Sequence, residues 1–189
     1  MTMTAITLCS KALLKLGANT ISSFDEGTAE SEMAAILYGN VRDSVLSSYL
    51  WSFALAQERL AMFASEPIAD FAFSYALPLD FLRVISAGSS GRGRGIEYRI
   101  TGNSLHSNSA EVMLTYIYRP KEDDLPPFFI QALVTKLAAE FCLPLTDSIS
   151  KTDYLNKLAE EEIRRARLID SQQDTIQAID SFPLIEVRS

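Results

Sequence analysis

Residues 46–56 read Leu46-Ser47-Ser48-Tyr49-Leu50-Trp51-Ser52-Phe53-Ala54-Leu55-Ala56, and within them the apolar period changes. Upstream, Met33, Leu37, Val41 and Val45 step by four, with Ile36 and Leu46 widening the stripe, which is one face of a helix. Downstream, Trp51, Phe53 and Leu55 alternate with Ser52, Ala54 and Ala56, the period of a strand. A chain that switches period here and switches back later carries a β segment between two helical ones.

The return switch falls at Leu125-Pro126-Pro127-Phe128-Phe129, where the prolines suit a helical first turn. Between the two switches Phe71, Phe73 and Tyr75 alternate after a loop containing Pro67. Pro78 should interrupt the ladder and Phe81 to Ser86 should resume it. Ile96, Tyr98 and Ile100 alternate again, and Thr101-Gly102-Asn103-Ser104 is a turn signal. Leu105 to Ser107 makes a short return strand, and Val112, Leu114, Tyr116 and Tyr118 a longer one. Residues 51–125 are therefore expected to form an antiparallel β lobe of five or six strands.

Outside the lobe the pattern is helical. Ile6, Cys9, Leu13 and Leu16 make one stripe over Thr4 to Leu16, with Gly17 placed to end it. A loop follows, anchored by Ile21 and Phe24, and Thr28 caps a second helix from about Ala29 to Tyr49, with Glu30 and Glu32 in its first turn. After the prolines, Phe129, Leu133, Leu137 and Phe141 carry a third helix to Leu143-Pro144. Ser150 or Thr152 caps a fourth that runs to about Gln173, with Tyr154, Leu155, Leu158, Ala159, Ala166 and Ile169 on its apolar side. Glu160–Arg164 and Glu161–Arg165 are spaced for i,i+4 ion pairs. The expected class is α+β, with a bundle of about four helices from residues 1–50 and 126–173 and the lobe inserted between them. Residues 174–189 lack helical period but hold Ile176, Ile179, Phe182, Leu184, Ile185 and Val187, too many large apolar groups for a solvated tail. They are expected to dock, on their own domain or on a neighbour.

Charge narrows the function. The formal net charge of −7 argues against a surface that grips nucleic acid through clustered Lys and Arg. No basic start followed by a long apolar stretch marks a signal peptide, and the uninterrupted apolar runs are shorter than a membrane span needs. Cys9 and Cys142 sit in apolar helical patterns and read as buried small hydrophobes in a reducing cytoplasm.

No residue set announces catalysis, a metal or a cofactor. His106 is the one histidine and has no second ligand at metal spacing, so a solvent-facing hairpin residue is the reading. Gly91-Arg92-Gly93-Arg94-Gly95 lacks the Lys-Ser/Thr ending of a phosphate loop, and reads as a mobile hairpin tip. The other reading has Arg92 and Arg94 touching an acidic partner or passing DNA. Glu122-Asp123-Asp124, ahead of a Pro-Pro helix start, reads as a solvated complement to the helix dipole rather than as paired catalytic carboxylates. Glu160-Glu161-Glu162 is a solvated helix face, and Phe71, Phe73 and Tyr75 are a core strand rather than a base-stacking platform.

The order and spacing of several segments do point somewhere. They are Ala12-Leu13-Leu14-Lys15-Leu16-Gly17 with Ile21, the acidic Asp25-Glu26, and the Trp-led handover Leu46 to Ala54. Then come Leu77-Pro78-Leu79-Asp80-Phe81-Leu82-Arg83-Val84, Tyr116-Ile117-Tyr118-Arg119, Pro127-Phe128-Phe129 and Ala138-Ala139-Glu140-Phe141-Cys142-Leu143-Pro144-Leu145. In this layout the chain resembles the head-to-tail adaptor family of tailed bacteriophages, which includes the tail tubular protein A of short-tailed phages. The family pattern commonly ends in an aromatic followed by a basic residue; Phe182 and Arg188 stand in that region as a looser fit. The resemblance implies a virion structural protein at the head–tail junction that is not an enzyme. It implies a ring, commonly of twelve subunits, with unlike surfaces meeting head to tail. The implied partners are the portal protein, the tail nozzle or tube protein, further copies of the chain, and DNA passing through the axis without sequence-specific binding; no membrane and no cofactor is implied. The segment Thr175 to Val187 would then lie on a neighbouring subunit or on the portal. Some relatives are described as degrading cell wall, so a virion-carried hydrolase is the alternative reading.

Overall fold

The computed structural model describes residues 2–65 and 67–173. It is an α+β fold of four α-helices and six strands in the expected order. The helices are α1 (Ala5–Leu16), α2 (Ala29–Ser47), α3 (Pro127–Thr146) and α4 (Ile149–Asp170). The strands are β1 (Leu55–Arg59), β2 (Phe73–Ala76), β3 (Phe81–Gly88), β4 (Tyr98–Thr101), β5 (Ser104–Ser107) and β6 (Met113–Tyr118).

Local chemistry sets the helix ends. The Thr4 hydroxyl accepts the Thr7 N–H at 3.2 Å to start α1. Gly17 ends it in the left-handed region at φ 76°, which lets the Ala18 N–H return to the Leu13 carbonyl at 3.1 Å. Thr28 and Ser31 cap α2 reciprocally. Helix α3 runs past its expected end at Pro144 to Thr146, where Asp147 turns left-handed at φ 50°, and the cap of α4 is Ser148, ahead of both expected residues.

Helix α3 is the centre of the bundle, and all three other helices pack on it. Ten of its residues are buried, Phe129, Leu133, Leu137 and Phe141 among them, so its sequence is largely apolar, with Gln131, Lys136 and Glu140 left toward solvent. By length and hydropathy α3 matches a membrane-crossing helix, a likeness that follows from its central place among the other three.

Two helix faces differ from the expected ones. On α2 the buried line is Ser31, Ala34, Tyr38, Val41 and Val45, while Met33 and Leu37 lie half-buried and Ile36 is 69% exposed. The Tyr38 hydroxyl is tied to Glu122 across the bundle, which turns that side of the helix inward. On α4 the buried line is Leu155, Ala159, Ala166 and Asp170, and Tyr154 is 64% exposed. Small alanines let α4 approach α3 closely, and Tyr154 lies a residue off that line. Neither Glu160–Arg164 nor Glu161–Arg165 closes; among the described residues the i,i+4 ion pair is Lys136–Glu140, at 2.6 Å.

The handover also differs. Trp51 and Phe53 belong to no strand: Ser52–Ala54 is a short 3₁₀ turn and the strand begins at Leu55. Fully buried Trp51 donates its indole N–H to the Val45 carbonyl at 3.0 Å, a carbonyl at the end of α2 that also accepts the Ser48 N–H and hydroxyl. Its ring meets Tyr49 and Phe129 edge-on, at 5.0 and 5.1 Å between centroids. The apparent alternation was a tight turn placing aromatic rings in the bundle.

The lobe is two antiparallel three-stranded sheets, β1-β6-β3 and β2-β5-β4. Leu82, Ile85 and Ile117 of the first sheet pack against the helical core. Its Val84, Ala87, Leu114 and Tyr116 face Tyr75 and Leu105 of the second sheet, making a separate small core. Tyr75 is buried there as a core-strand residue, whereas Phe71 lies ahead of β2 under the Arg99 guanidinium, 5.3 Å from its ring centre.

Both cysteines are buried and unpaired. Burial pushes the Cys9 thiol up to about 12. In the folded chain Cys9 should therefore resist maleimide or disulfide reagents at neutral pH, and react at the rate of unfolding. Rapid labelling of Cys9 under native conditions would contradict its placement against α3.

Candidate functional site

The densest polar construction among the described residues lies where the lobe meets the bundle. The Tyr38 hydroxyl and Arg42 Nη1, one turn apart on α2, both donate to Glu122 Oε1 at 2.9 Å. Arg42 Nε donates to Asp43 Oδ1 at 2.9 Å. Asp43 in turn receives Arg119, from the end of β6, through Nε at 3.1 Å and Nη2 at 2.7 Å. The Arg119 N–H donates to the Asp80 carbonyl at 2.9 Å, and the Tyr118 hydroxyl donates to the Phe53 carbonyl at 3.2 Å. On α4, buried Asp170 accepts the Ser52 N–H and hydroxyl at 3.0 and 2.7 Å.

Glu122 is thus not the solvated acid expected. The Glu122–Asp124 segment winds into a 3₁₀ turn, and Glu122 points back to α2. Desolvation alone would raise its carboxyl, but its own backbone N–H, Tyr38 and Arg42 hold it below the usual carboxylate range. Asp43 behaves likewise: burial raises it, while hydrogen bonds and charge from Arg119 and Arg42 outweigh that and lower it. Desolvation and the charge of Glu122 raise the Tyr38 phenol, which stays a donor. The arrangement holds ions in place; it has no free acid or base facing a cavity. Tyr38, Arg42 and Asp43 went unremarked in the sequence, although an i,i+4 Tyr–Arg pair followed by Asp was the available signal.

His106 sits on β5, half-buried, with Nε2 3.1 Å from the Ser104 hydroxyl. The Ser104 hydroxyl also lies 2.8 Å from the Thr101 carbonyl, which it can donate to in place of the imidazole. No group of three or more His, Cys, Asp or Glu that could hold a metal occurs among the described residues.

The segment Ser89–Gly95 is a loop folded back on β3, and the mobile hairpin tip expected is not formed, since β3 and β4 lie in different sheets. Ser86 Oγ donates to the Gly93 carbonyl at 2.7 Å, the Arg92 N–H to the Ser89 carbonyl at 3.1 Å, and the Ile96 N–H to the Ala87 carbonyl at 3.3 Å. Gly88 bridges Gly95, and a Cβ on Gly88 would collide with the Arg92 and Arg94 backbone. A Cβ on Gly93 would stand 2.8 Å from Thr115 Oγ1 and 2.9 Å from Gln57 Nε2, so glycine is what lets the loop lie across β6 and β1. Arg92 and Arg94 are both exposed on it.

Glu161 and Glu162 border shallow surface depressions with Arg165 along α4. An open apolar depression of about 400 Å³ lies between α2 and α3, lined by Met33, Ile36, Leu37, Pro144 and Leu145. Of the other residues named as contact candidates, Ile176, Ile179, Phe182, Leu184, Ile185 and Arg188 lie outside the described residues. No protein-family model matches this chain, and no curated protein matches its sequence.

Proposed function

We propose that the protein is a structural head-to-tail adaptor of a tailed bacteriophage, a ring subunit joining the portal to the tail nozzle or tube around a DNA passage. The support is where the segments carrying the resemblance lie. Trp51 and Phe53 of the handover stack on Phe129 of the Pro-Pro-Phe-Phe segment. Asp80 of Leu-Pro-Leu-Asp holds Arg119 of the Tyr-Ile-Tyr-Arg segment through its backbone, and Tyr118 holds Phe53. Segments scattered over the chain thus meet in one joint that fixes the lobe on the bundle. A subunit that works by holding a geometry needs such a joint more than it needs a cleft.

The test is mass in solution by light scattering, for the chain alone and mixed with the portal protein from the same genome. The expected result is a defined, ring-sized addition of mass to the portal. A chain that stays at 20.9 kDa and ignores the portal would sink the proposal.

A further inference from the structure

We infer that the loop Ser89–Gly95 is a contact site for the phosphodiester backbone of nucleic acid, with the Arg92 and Arg94 guanidinium groups binding phosphates. Arg92, Gly93, Arg94 and Gly95 alone line one open depression beside the sheet. The alternation with glycine leaves two guanidinium groups and bare backbone at its rim. Neither arginine is in an ion pair among the described residues, whereas Arg59 pairs with Glu111 and Arg99 with Asp70 on the same lobe. Both are free to meet an outside anion, and the guanidinium fork matches phosphate through paired hydrogen bonds.

The loop is also held ready. Its hydrogen bonds to Ser86 and Ser89, and the packing of Gly88 and Gly93, fix the backbone before any ligand arrives. Binding then has only the two side chains left to order. The lining decides the class of partner. A protein interface is centred on aromatic and apolar anchors, and this depression contains none. A free phosphate is favoured by an enclosing nest of backbone N–H groups, and this site is open. A long, regularly charged polyanion running across the rim fits both features.

A net charge of −7 keeps the rest of the surface off such a ligand, so each chain makes about two phosphate contacts. Two contacts release about two counterions, and affinity should fall roughly tenfold between about 50 and 200 mM salt. The inference rests on the adaptor proposal only for which nucleic acid arrives; the isolated chain suffices to test it.

The experiment is an amide nuclear magnetic resonance titration of the full chain with short duplex DNA at low salt. Saturable shifts are expected at the Gly91, Gly93 and Gly95 amides, weakening with salt as above. Arg92→Gln with Arg94→Gln should abolish them while leaving the rest of the spectrum unchanged, since both side chains are exposed. Parallel titrations use a poly-glutamate peptide of matched charge and inorganic phosphate. No loop shift with DNA, or shifts that survive the double substitution, would overturn the inference. Equal or tighter binding of poly-glutamate would replace it with an acidic protein partner, and saturation by phosphate alone with a free-anion site. Loss of portal binding beside an intact DNA contact would sink the adaptor proposal and leave this one standing.

Discussion

Replacing Trp51 with alanine should cost about 3–5 kcal/mol of folding stability, the range for truncating a large aromatic in a packed core. The side chain is fully buried, fills the space between Tyr49, Phe53 and Phe129, and closes the end of α2 through its bond to Val45. Truncation removes the ring from all three contacts and leaves the Val45 carbonyl without its indole donor. Against a typical total of about 5–15 kcal/mol, that is a large fraction. The midpoint of thermal unfolding should drop by on the order of 10 °C. Trp51→Phe keeps most of the packing and loses the hydrogen bond, so it should fall between wild type and alanine. Unfolding is followed by circular dichroism, because both variants lack the chain's one tryptophan. A cost below about 1 kcal/mol for the alanine variant would mean Trp51 does not sit in a close-packed core.

Arg42→Met is the second large effect. Methionine keeps the stem but removes the guanidinium that joins Asp43 to Glu122, leaving Asp43 with Arg119 alone and Glu122 with Tyr38. Breaking a buried pair by removing one partner costs about 3–5 kcal/mol. Here Arg42 is 14% exposed but Asp43 and Glu122 keep 27% and 24%, so solvent softens the loss to roughly 2–3 kcal/mol. The effect has a pH signature. Both carboxyls sit below their ordinary range in the folded chain, so on acidification the unfolded chain binds protons first. Their contribution is fully present above the unfolded values near pH 4 and is lost as pH falls through the folded ones. The stability gap between wild type and Arg42→Met should therefore narrow on going from about pH 6 to about pH 3. A gap that stays constant across that interval would mean the network contributes packing alone. Because Arg42 and Arg119 share Asp43, the two substitutions should not add in a double-mutant cycle.

The helices, the start of α2 and the end of α1 were legible because their causes are local: Thr28 and Gly17 act within a few residues of where they stand. The α+β layout followed from two changes of period. What stayed hidden was set at long range. The face of α2 was misplaced by a few residues because Tyr38 is turned inward by Glu122, which arrives from the far side of the lobe. The alternation at Trp51 to Leu55 is too short to tell a 3₁₀ turn from a strand, and what decides is Phe129. The glycine-rich loop looked mobile by composition; the side chains that bond it, Ser86 and Thr115, lie on β3 and β6. The joint was split among segments that each looked ordinary.

The bundle is discontinuous in the chain, and that has a consequence for synthesis. Helices α1 and α2 emerge from the ribosome with little to pack on, because the helix that completes their core, α3, follows the whole lobe. The lobe, whose pairings are all internal, is free to fold first. Closing the bundle must then bring together segments about eighty residues apart, a step that loop entropy slows. Until it happens α3 is an apolar helix in water, the form most open to chaperones and to wrong partners. A half-made chain consequently lacks a finished outer surface, and the arrival of α3 and α4 is the step that supplies it.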